Sequence, residues 1–371
     1  MSLYLDNAAT TKIHKDVVDA MINSFEYYGN SEAKYYDVAE KAKEFILWSR
    51  TTISKLLSCE PENVIFTSGA TEANNLILKG LSSSTSNKKR IIISSIEHSS
   101  VEETCKFLQT KGFEVIRIKV DKTGLVDLKQ LKEAINDNTL LVSIIWVNNE
   151  IGTIQKMKEI DDICFEKGVF LHSDATQAVG KIQINLTEFK ALKSITFSAH
   201  KIYGPKGIGC LVLKKDDNNI KYQLTPLFHG GEQEYNYRAG TLSNELIVGF
   251  GKACELLMDD ISNSNNVLQI LENELIQILS RKFGDIFVLN NHWNHRVPGI
   301  INVQFKGFNN AILLKNAKDI FAASTGSSCS VAKPSRVLKE IGLSDKEISY
   351  SIRMSLSKYT SIEELSILEE L

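Results

Sequence analysis

The sequence contains no apolar run long enough to cross a lipid bilayer. Its longest, residues 140–147 with Ser143 inside it, falls far short of the roughly 20 residues that a membrane-spanning helix needs. The first residues, MSLYLD, lack the basic and apolar regions of a signal peptide. These absences predict a cytoplasmic protein without a membrane segment.

An excess of charge is also absent. The 43 lysines and arginines nearly balance the 45 aspartates and glutamates, so the formal net charge is −2. Without surplus positive charge, direct binding of nucleic acid is not expected. Apolar residues make up 43% and charged residues 24% of the 371 residues. Those ordinary fractions exclude a disordered or fibrous chain and allow two or three folded domains.

The six cysteines give no sign of a disulfide framework or a metal site. None belongs to a CxxC pair, and His292 and His295 have no third ligand nearby, so no metal is expected. Five cysteines lie in apolar or helical surroundings typical of buried thiols, namely Cys59, Cys105, Cys164, Cys210 and Cys254. The sixth, Cys329, lies among small residues in AASTGSSCS (322–330), which favours an accessible, reactive thiol.

Short β-branched runs alternate with amphipathic stretches between residues 64 and 213. The runs predict strands at residues 64–67, 90–94, 114–120, 139–147, 169–173, 194–197 and 209–213. The stretches between them predict helices at residues 71–81, 99–111, 127–136 and 156–167. Buried strands separated by helices are typical of an open sheet covered on both faces. We therefore predict an α/β fold with a mostly parallel, seven-stranded sheet.

The pattern changes after about residue 250. An amphipathic helix is predicted over residues 267–279, followed by strands at 286–289, 299–305 and 351–356. These elements predict a smaller α+β domain, formed by residues 1–11 and 251–371. The large domain would then comprise residues 12–250.

Polar residues follow five of the predicted strands, where ligands bind in open parallel sheets. They are SGAT (68–71), EH (97–98), NNE (148–150), Asp174 and SAHK (198–201). The first turn can bind phosphate through backbone N–H groups, with Thr71 as the predicted N-cap. Lys201 can form a Schiff base, and Asp174 can keep a pyridine nitrogen protonated. Together these groups favour pyridoxal 5'-phosphate as the cofactor over a metal or a nucleotide.

Several long motifs in this order resemble those of the cysteine desulfurases, pyridoxal-phosphate enzymes of the class V aminotransferase superfamily. The resemblance extends almost from end to end. Its motifs are YLDNAATT (4–11), TSGATEANN (67–75), EH (97–98), VNNEIG (147–152), HSDATQ (172–177), SAHKIYGPKG (198–207), HGGEQ (229–233), RAGT (238–241), SSC (327–329) and SIRMSL (351–356).

The resemblance implies a pyridoxal-phosphate transferase of fold type I and a role for each matching residue. Lys201 would hold the cofactor as a Schiff base, Asp174 would pair with the ring nitrogen, and His98 would stack on the ring and transfer protons. Gln177 would bind the ring hydroxyl. The remaining implied ligands are Ala70, Thr71, Ser198 and His200 for the phosphate, Thr241 from a second subunit of a homodimer, and Asn149 and Arg353 for the substrate carboxylate.

Cys329 is the residue that distinguishes a desulfurase within this superfamily. The resemblance implies that its thiol takes sulfur from L-cysteine as a persulfide, leaves L-alanine, and passes the sulfur to an acceptor protein. The acceptor pathways that remain open are iron–sulfur assembly and the thiolation of tRNA or DNA. The alternatives are a selenocysteine lyase, a class V aminotransferase, and a partner-binding protein that keeps the cofactor as a structural element.

The sequence also departs from the family pattern. Tyr35 and Val38 stand where a histidine and a glycine are usual, and Trp146 stands where a histidine is common. The stretch from Cys329 to Pro334 is two residues shorter than in housekeeping members, and the chain stops at Leu371 without their longer tail. These differences predict an altered substrate entrance and a dedicated sulfur donor.

Overall fold

The computed structural model describes residues 2–33, 35–83, 87–258, 260–326 and 334–370. Its strands are β1 (Leu3–Tyr4), β2 (Val64–Thr67), β3 (Arg90–Ser94), β4 (Glu114–Ile118), β5 (Thr139–Ser143), β6 (Phe170–Asp174), β7 (Leu192–Ser198), β8 (Gly209–Leu213), β9 (Phe287–Leu289), β10 (Ile300–Phe305), β11 (Phe321–Ala322) and β12 (Ser351–Ser355). Its α-helices are α1 (Lys15–Ser24), α2 (Asp37–Leu57), α3 (Ala70–Ser82), α4 (Ser99–Thr110), α5 (Leu128–Ala134), α6 (Met157–Glu166), α7 (Asn244–Glu255), α8 (Ile261–Phe283), α9 (Asn310–Asn316), α10 (Arg336–Glu340), α11 (Asp345–Ile348) and α12 (Ile362–Leu365).

The predicted seven-stranded sheet is confirmed. Its order is β2-β8-β7-β6-β5-β3-β4. The pairs from β7 across to β4 are parallel, whereas β8 runs antiparallel to both of its neighbours. The carboxyl ends of β2, β3, β5, β6 and β7 therefore meet at one edge of the sheet, as the sequence predicted.

Helices cover both faces of this sheet because its strands are apolar on both sides. On β3, Ile92 packs into the cluster that contains residues of α2, α6 and α7, whereas Ile91 and Ile93 pack into the cluster that contains residues of α3 and α4. Side chains alternate between the two faces of a strand, so a continuous apolar run supplies both layers.

The C-terminal part of the chain forms a second, smaller sheet. Strand β10 lies between β9 and β12 and is antiparallel to both. The apolar side of α8 packs on this sheet in a separate core, which also includes Leu3 and Leu5 from the start of the chain. This arrangement suits the predicted small domain, but the boundaries at residues 11 and 250 stay a prediction. In the described part of the chain, no helix is long and apolar enough to cross a membrane.

Candidate active site

A cavity of about 270 Å³ opens at the carboxyl edge of the large sheet. It brings together ten of the residues that the sequence singled out, from six separate stretches of chain. They are Ala70, Thr71, His98, Asn149, Asp174, Gln177, Ser198, His200, Lys201 and Arg353. The other lining residues are Ala8, Ala9, Ile145, Val147 and Thr176.

The N-terminus of α3 forms one end of this cavity. Because Gly69 occupies the N-cap, the prediction that Thr71 caps the helix is wrong, and Thr71 lies in the first turn. The Ala70 N–H donates to Ser198 Oγ at 2.7 Å, which ties α3 to the end of β7. The first N–H groups of a 13-residue helix lack partners within the helix and carry partial positive charge. This end of the cavity is therefore suited to an anion such as phosphate.

Gly209 allows that turn to lie against the sheet. A Cβ at this position would lie 2.7 Å from the Gly69 Cα and 2.6 Å from the Phe197 carbonyl oxygen. Both contacts are with backbone atoms, so any larger residue would push the start of α3 away from Ser198.

Lys201 lies in the short turn that follows β7, and its ammonium points at the N-terminal segment of the chain. Its Nζ donates to the carbonyl oxygens of Ala8 at 2.8 Å and Ala9 at 2.6 Å. These contacts hold the amine at the cavity. Both alanines belong to the motif at residues 4–11, but nothing in the sequence pattern indicates that they bind a lysine.

Asp174 is buried at the end of β6 and is held by Asn74. The Asn74 amide donates to Asp174 Oδ2 at 2.7 Å and to Ser100 Oγ at 2.8 Å. Its Oδ1 lies 2.6 Å from Thr196 Oγ1 and 3.1 Å from His172 Nε2. Burial lowers the pKa of His172 to about 4, so the imidazole that contacts Asn74 is neutral near pH 7.

His98 occupies the N-cap of α4. Its Nδ1 accepts from the Ser100 N–H at 3.2 Å, which places the proton of the neutral ring on Nε2. Burial lowers its pKa, with a smaller contribution from the Lys201 charge. His98 is therefore neutral near pH 7.

Arg353 lies on β12 and is almost fully buried, with 1% of its surface exposed. Its Nη2 donates to Asp6 Oδ1 at 2.7 Å, and its Nη1 donates to the Asn149 carbonyl oxygen at 3.0 Å. These two contacts fix the plane of the guanidinium while leaving further N–H groups for a ligand.

Three buried polar atoms at the cavity have no hydrogen-bond partner within the described residues. They are Thr176 Oγ1, Gln177 Oε1 and Arg353 Nε. Buried polar atoms in folded proteins are nearly always satisfied, so unpaired ones around a cavity point to a polar ligand.

Other sequence predictions lie away from this cavity or outside the described residues. Cys329 belongs to the latter group, and Thr241 is exposed without lining the cavity. Tyr35 is 93% exposed, and Trp146 is buried in the core against Phe189. Neither lines the cavity, so the predicted change in the substrate entrance remains a prediction. Within the described residues, no group of three or more His, Cys, Asp or Glu could hold a metal ion.

The match to a family model decides the classification, because the model for aminotransferase class V covers residues 3–368. The chain belongs to the class V aminotransferase family. Across 98% of its length it is 37% identical to "Cysteine desulfurase IscS" of Rickettsia massiliae, of which it covers 88%. A solved NifS-like protein has a TM-score of 0.91 and 32% identity, with coverage of 100% of this chain and 98% of that chain.

A second solved structure that this chain resembles is that of SspA in complex with cysteine. It has a TM-score of 0.85 and 35% identity, and the match covers 97% of this chain and 100% of that chain. The class V family uses pyridoxal phosphate.

The residues at the cavity fit that cofactor. The start of α3 suits its phosphate, Asp174 suits a protonated pyridine nitrogen, and the unpaired Gln177 Oε1 can accept from a ring hydroxyl. The Lys201 amine, which lines the same cavity, is of the kind that can bind an aldehyde.

Proposed function

We propose that this chain is a pyridoxal-phosphate-dependent cysteine desulfurase that stores sulfur on Cys329. The convergence of Lys201, Asp174 and Arg353 in one cavity is the observation that carries the proposal. These three groups meet the needs of an amino-acid substrate: an amine for the cofactor, a carboxylate for its ring nitrogen, and a guanidinium for the substrate carboxylate.

The reaction balances without an external oxidant or reductant. The Cys329 thiolate attacks the sulfur of L-cysteine, and the carbon–sulfur bond of the substrate breaks. The bonding electrons stay with the carbon, which takes up a proton and leaves as part of L-alanine. The sulfur remains on Cys329 as a persulfide for an acceptor. Bound pyridoxal phosphate supplies the electron sink that makes this bond breakable.

Ala70, Thr71, Ser198 and His200 bind the cofactor phosphate in this proposal. Burial and the Lys201 charge lower the pKa of His200 to about 4, so the ring is neutral and binds by hydrogen bonding rather than by charge. Gln177 is held by a 2.8 Å bond from its Nε2 to the Ala8 carbonyl oxygen, which leaves Oε1 for the ring hydroxyl.

Arg353 and Asn149 orient the substrate. The buried Arg353 Nε has no partner within the described residues, and Arg353 lines the cavity, where its guanidinium suits a carboxylate. The Asn149 side chain lines the same cavity, while its carbonyl oxygen receives the 3.0 Å bond from Arg353 Nη1. Together they direct the α-carboxylate of L-cysteine to one side of the cavity.

His98 moves protons at the cavity. Because the neutral ring keeps its proton on Nε2 while Nδ1 is bound to the start of α4, it has one defined donor. Because its pKa is lowered, a proton taken up by the neutral ring is readily given back, which returns His98 to the neutral form near pH 7.

Cys329 lies three residues beyond Gly326 in the sequence. A fully extended stretch of that length spans at most roughly 11 Å. Gly326 contacts Glu150, the residue after Asn149, so the attachment point of the segment lies beside the cavity. This chain length is compatible with the proposed role of Cys329.

L-cysteine turnover tests the function directly. We expect the purified chain, loaded with pyridoxal phosphate, to release L-alanine and to acquire one sulfur atom on Cys329. The two products separate the candidate activities: a selenocysteine lyase would spare L-cysteine, and an aminotransferase would transfer its amino group without forming a persulfide.

We further propose a homodimer in which Thr241 binds the phosphate in the partner's cavity. Thr241 is exposed and does not line the cavity of its own chain, which suits a contribution to a second copy. Sedimentation velocity should give a mass twice the 41.5 kDa of one chain. A cofactor-loaded species with the mass of a single chain would contradict the dimer.

A further inference from the structure

Asn74 is a buried polar residue of α3 that has no role so far. It lies one helical turn after Ala70, which lines the cavity, and 0% of its surface is exposed. Asparagine is a weak helix former, and a buried amide is costly unless its polar atoms are bound. The contacts of Asn74 therefore indicate what it stabilises.

Both ends of the Asn74 amide are occupied. Its Nδ2 donates to Asp174 Oδ2 at 2.7 Å and to Ser100 Oγ at 2.8 Å. Its Oδ1 accepts from Thr196 Oγ1 at 2.6 Å and lies 3.1 Å from His172 Nε2. An amide has two N–H donors and two acceptor positions, so these contacts use all of them. Because a carboxylate can only accept, the amide cannot turn over without losing its bond to Asp174.

Asp174 is a buried carboxylate that accepts from two N–H groups in the described part of the chain. It is 3% exposed, and burial penalises its charge. Its Oδ2 accepts from Asn74, and its Oδ1 accepts from the Thr176 N–H at 3.0 Å. Such bonds offset part of the penalty, and one bond on each oxygen fixes the plane of the carboxylate. Of the two donors, Asn74 is the one that belongs to a side chain.

We propose that Asn74 is a positioning residue for the cofactor: it stabilises the charged Asp174 carboxylate and fixes its orientation at the cavity, so that the ring nitrogen of pyridoxal phosphate keeps its proton. This inference rests on the role of Asp174 in the proposed function. A protonated ring nitrogen makes the bound cofactor a better electron sink. Asn74 does not line the cavity, so it acts through Asp174.

Two substitutions disturb this contact in different ways. Asn74→Leu has a similar shape but removes the N–H group that donates to Asp174. Thr196→Val keeps Asn74 and removes the hydroxyl that donates to its Oδ1, so the amide is held less firmly. Asn75→Leu is the matched control, because it makes the same change at the next position of α3. The Asn75 side chain donates to the Thr71 carbonyl oxygen of its own helix at 2.9 Å.

The measurement is ¹⁵N NMR of the enzyme loaded with ring-labelled pyridoxal phosphate, as a function of pH. The signal differs between the protonated and the unprotonated ring, so the midpoint of its titration reports how strongly the protein holds that proton. Asn74→Leu should lower this midpoint by about one pH unit, because a hydrogen bond to a charged group is typically worth at least a tenfold change in an equilibrium. L-alanine formation should fall about 10-fold for the same reason.

The other variants should differ from Asn74→Leu in a defined order. Thr196→Val should lower the midpoint by less, and Asn75→Leu should match the wild-type enzyme. The cofactor content should be unchanged in all of them. The titratable groups around Asp174 also stay the same in every variant, namely Glu97, His98, His172, His200 and Lys201. A changed midpoint therefore reports the loss of the Asn74 contact rather than the loss of another charge.

An unchanged midpoint in both Asn74→Leu and Thr196→Val would overturn the positioning role. An equal shift in Asn75→Leu, or a loss of cofactor content that accounts for the lost activity, would show a merely structural role. If Asn74→Leu fails to fold, Thr196→Val decides alone. An unprotonated ring nitrogen in the wild-type enzyme would refute the role of Asp174 and this inference with it. A wild-type enzyme with a protonated ring that forms no L-alanine would instead refute the desulfurase function alone.

Discussion

Replacing Cys329 with alanine should lower the formation of L-alanine from L-cysteine at least about 100-fold, because the variant has no thiolate to receive the substrate sulfur. The reaction is followed by quantifying L-alanine in the presence of a thiol reductant, which regenerates the free Cys329 in the wild-type enzyme. Cofactor binding should be unchanged, since none of the groups around the cavity is altered.

Cys59→Ala is the matched control for this loss. Cys59 is half-buried, and burial together with the charge of Glu60 raises its pKa to about 12, so it is almost entirely a thiol at neutral pH. Its removal should leave activity unchanged. Equal L-alanine formation by wild-type and Cys329→Ala would show that Cys329 is not the sulfur acceptor, and an elimination of the lyase type would replace the mechanism.

Lys201→Ala should have a comparably large effect, lowering turnover about 1,000-fold and abolishing covalent attachment of the cofactor. In the structure, Lys201 Nζ is fixed at the cavity by the carbonyl oxygens of Ala8 and Ala9. An alanine leaves no amine within reach of the aldehyde. Borohydride reduction followed by mass spectrometry of the intact chain measures the attachment.

Lys167→Ala provides the comparison for that variant. Lys167 is exposed at the end of α6 and precedes β6, so it lies at the opposite edge of the sheet. Its removal should change neither attachment nor turnover. If reduction still fixed the cofactor to Lys201→Ala, another lysine would carry it and the assignment of Lys201 would be wrong.

The bounds of a strand were predictable from the sequence where the same residues are both buried and paired with a neighbouring strand. β2, β3 and β8 have the predicted bounds, because each is a short apolar run paired along its whole length. The predicted strand at residues 139–147 instead ends at Ser143. Residues beyond it stay buried, but the Ile145 N–H donates to the Glu97 carboxyl at 2.7 Å rather than to a neighbouring strand. An apolar sequence pattern predicts which residues are buried, but it does not predict which group accepts a hydrogen bond from each backbone N–H.

The convergence of these polar residues at one cavity was predictable because the carboxyl ends of parallel strands meet at one edge of the sheet. The residues that hold these side chains in place by hydrogen bonds were not predictable. Asn74 reaches Asp174 from 100 positions away, and Ser335 reaches Glu150 from 185 positions away. No local pattern encodes such pairs, so the sequence shows Asn74 and Glu150 only as members of longer motifs.

The most direct test of persulfide formation on Cys329 is a single turnover of the wild-type enzyme with one equivalent of L-cysteine and no reductant. L-alanine is quantified, and the mass of the peptide that contains Cys329 is measured by mass spectrometry. We expect one L-alanine per active site and a matching gain of one sulfur atom on Cys329. L-alanine with the sulfur released to solution or found on another cysteine would contradict it.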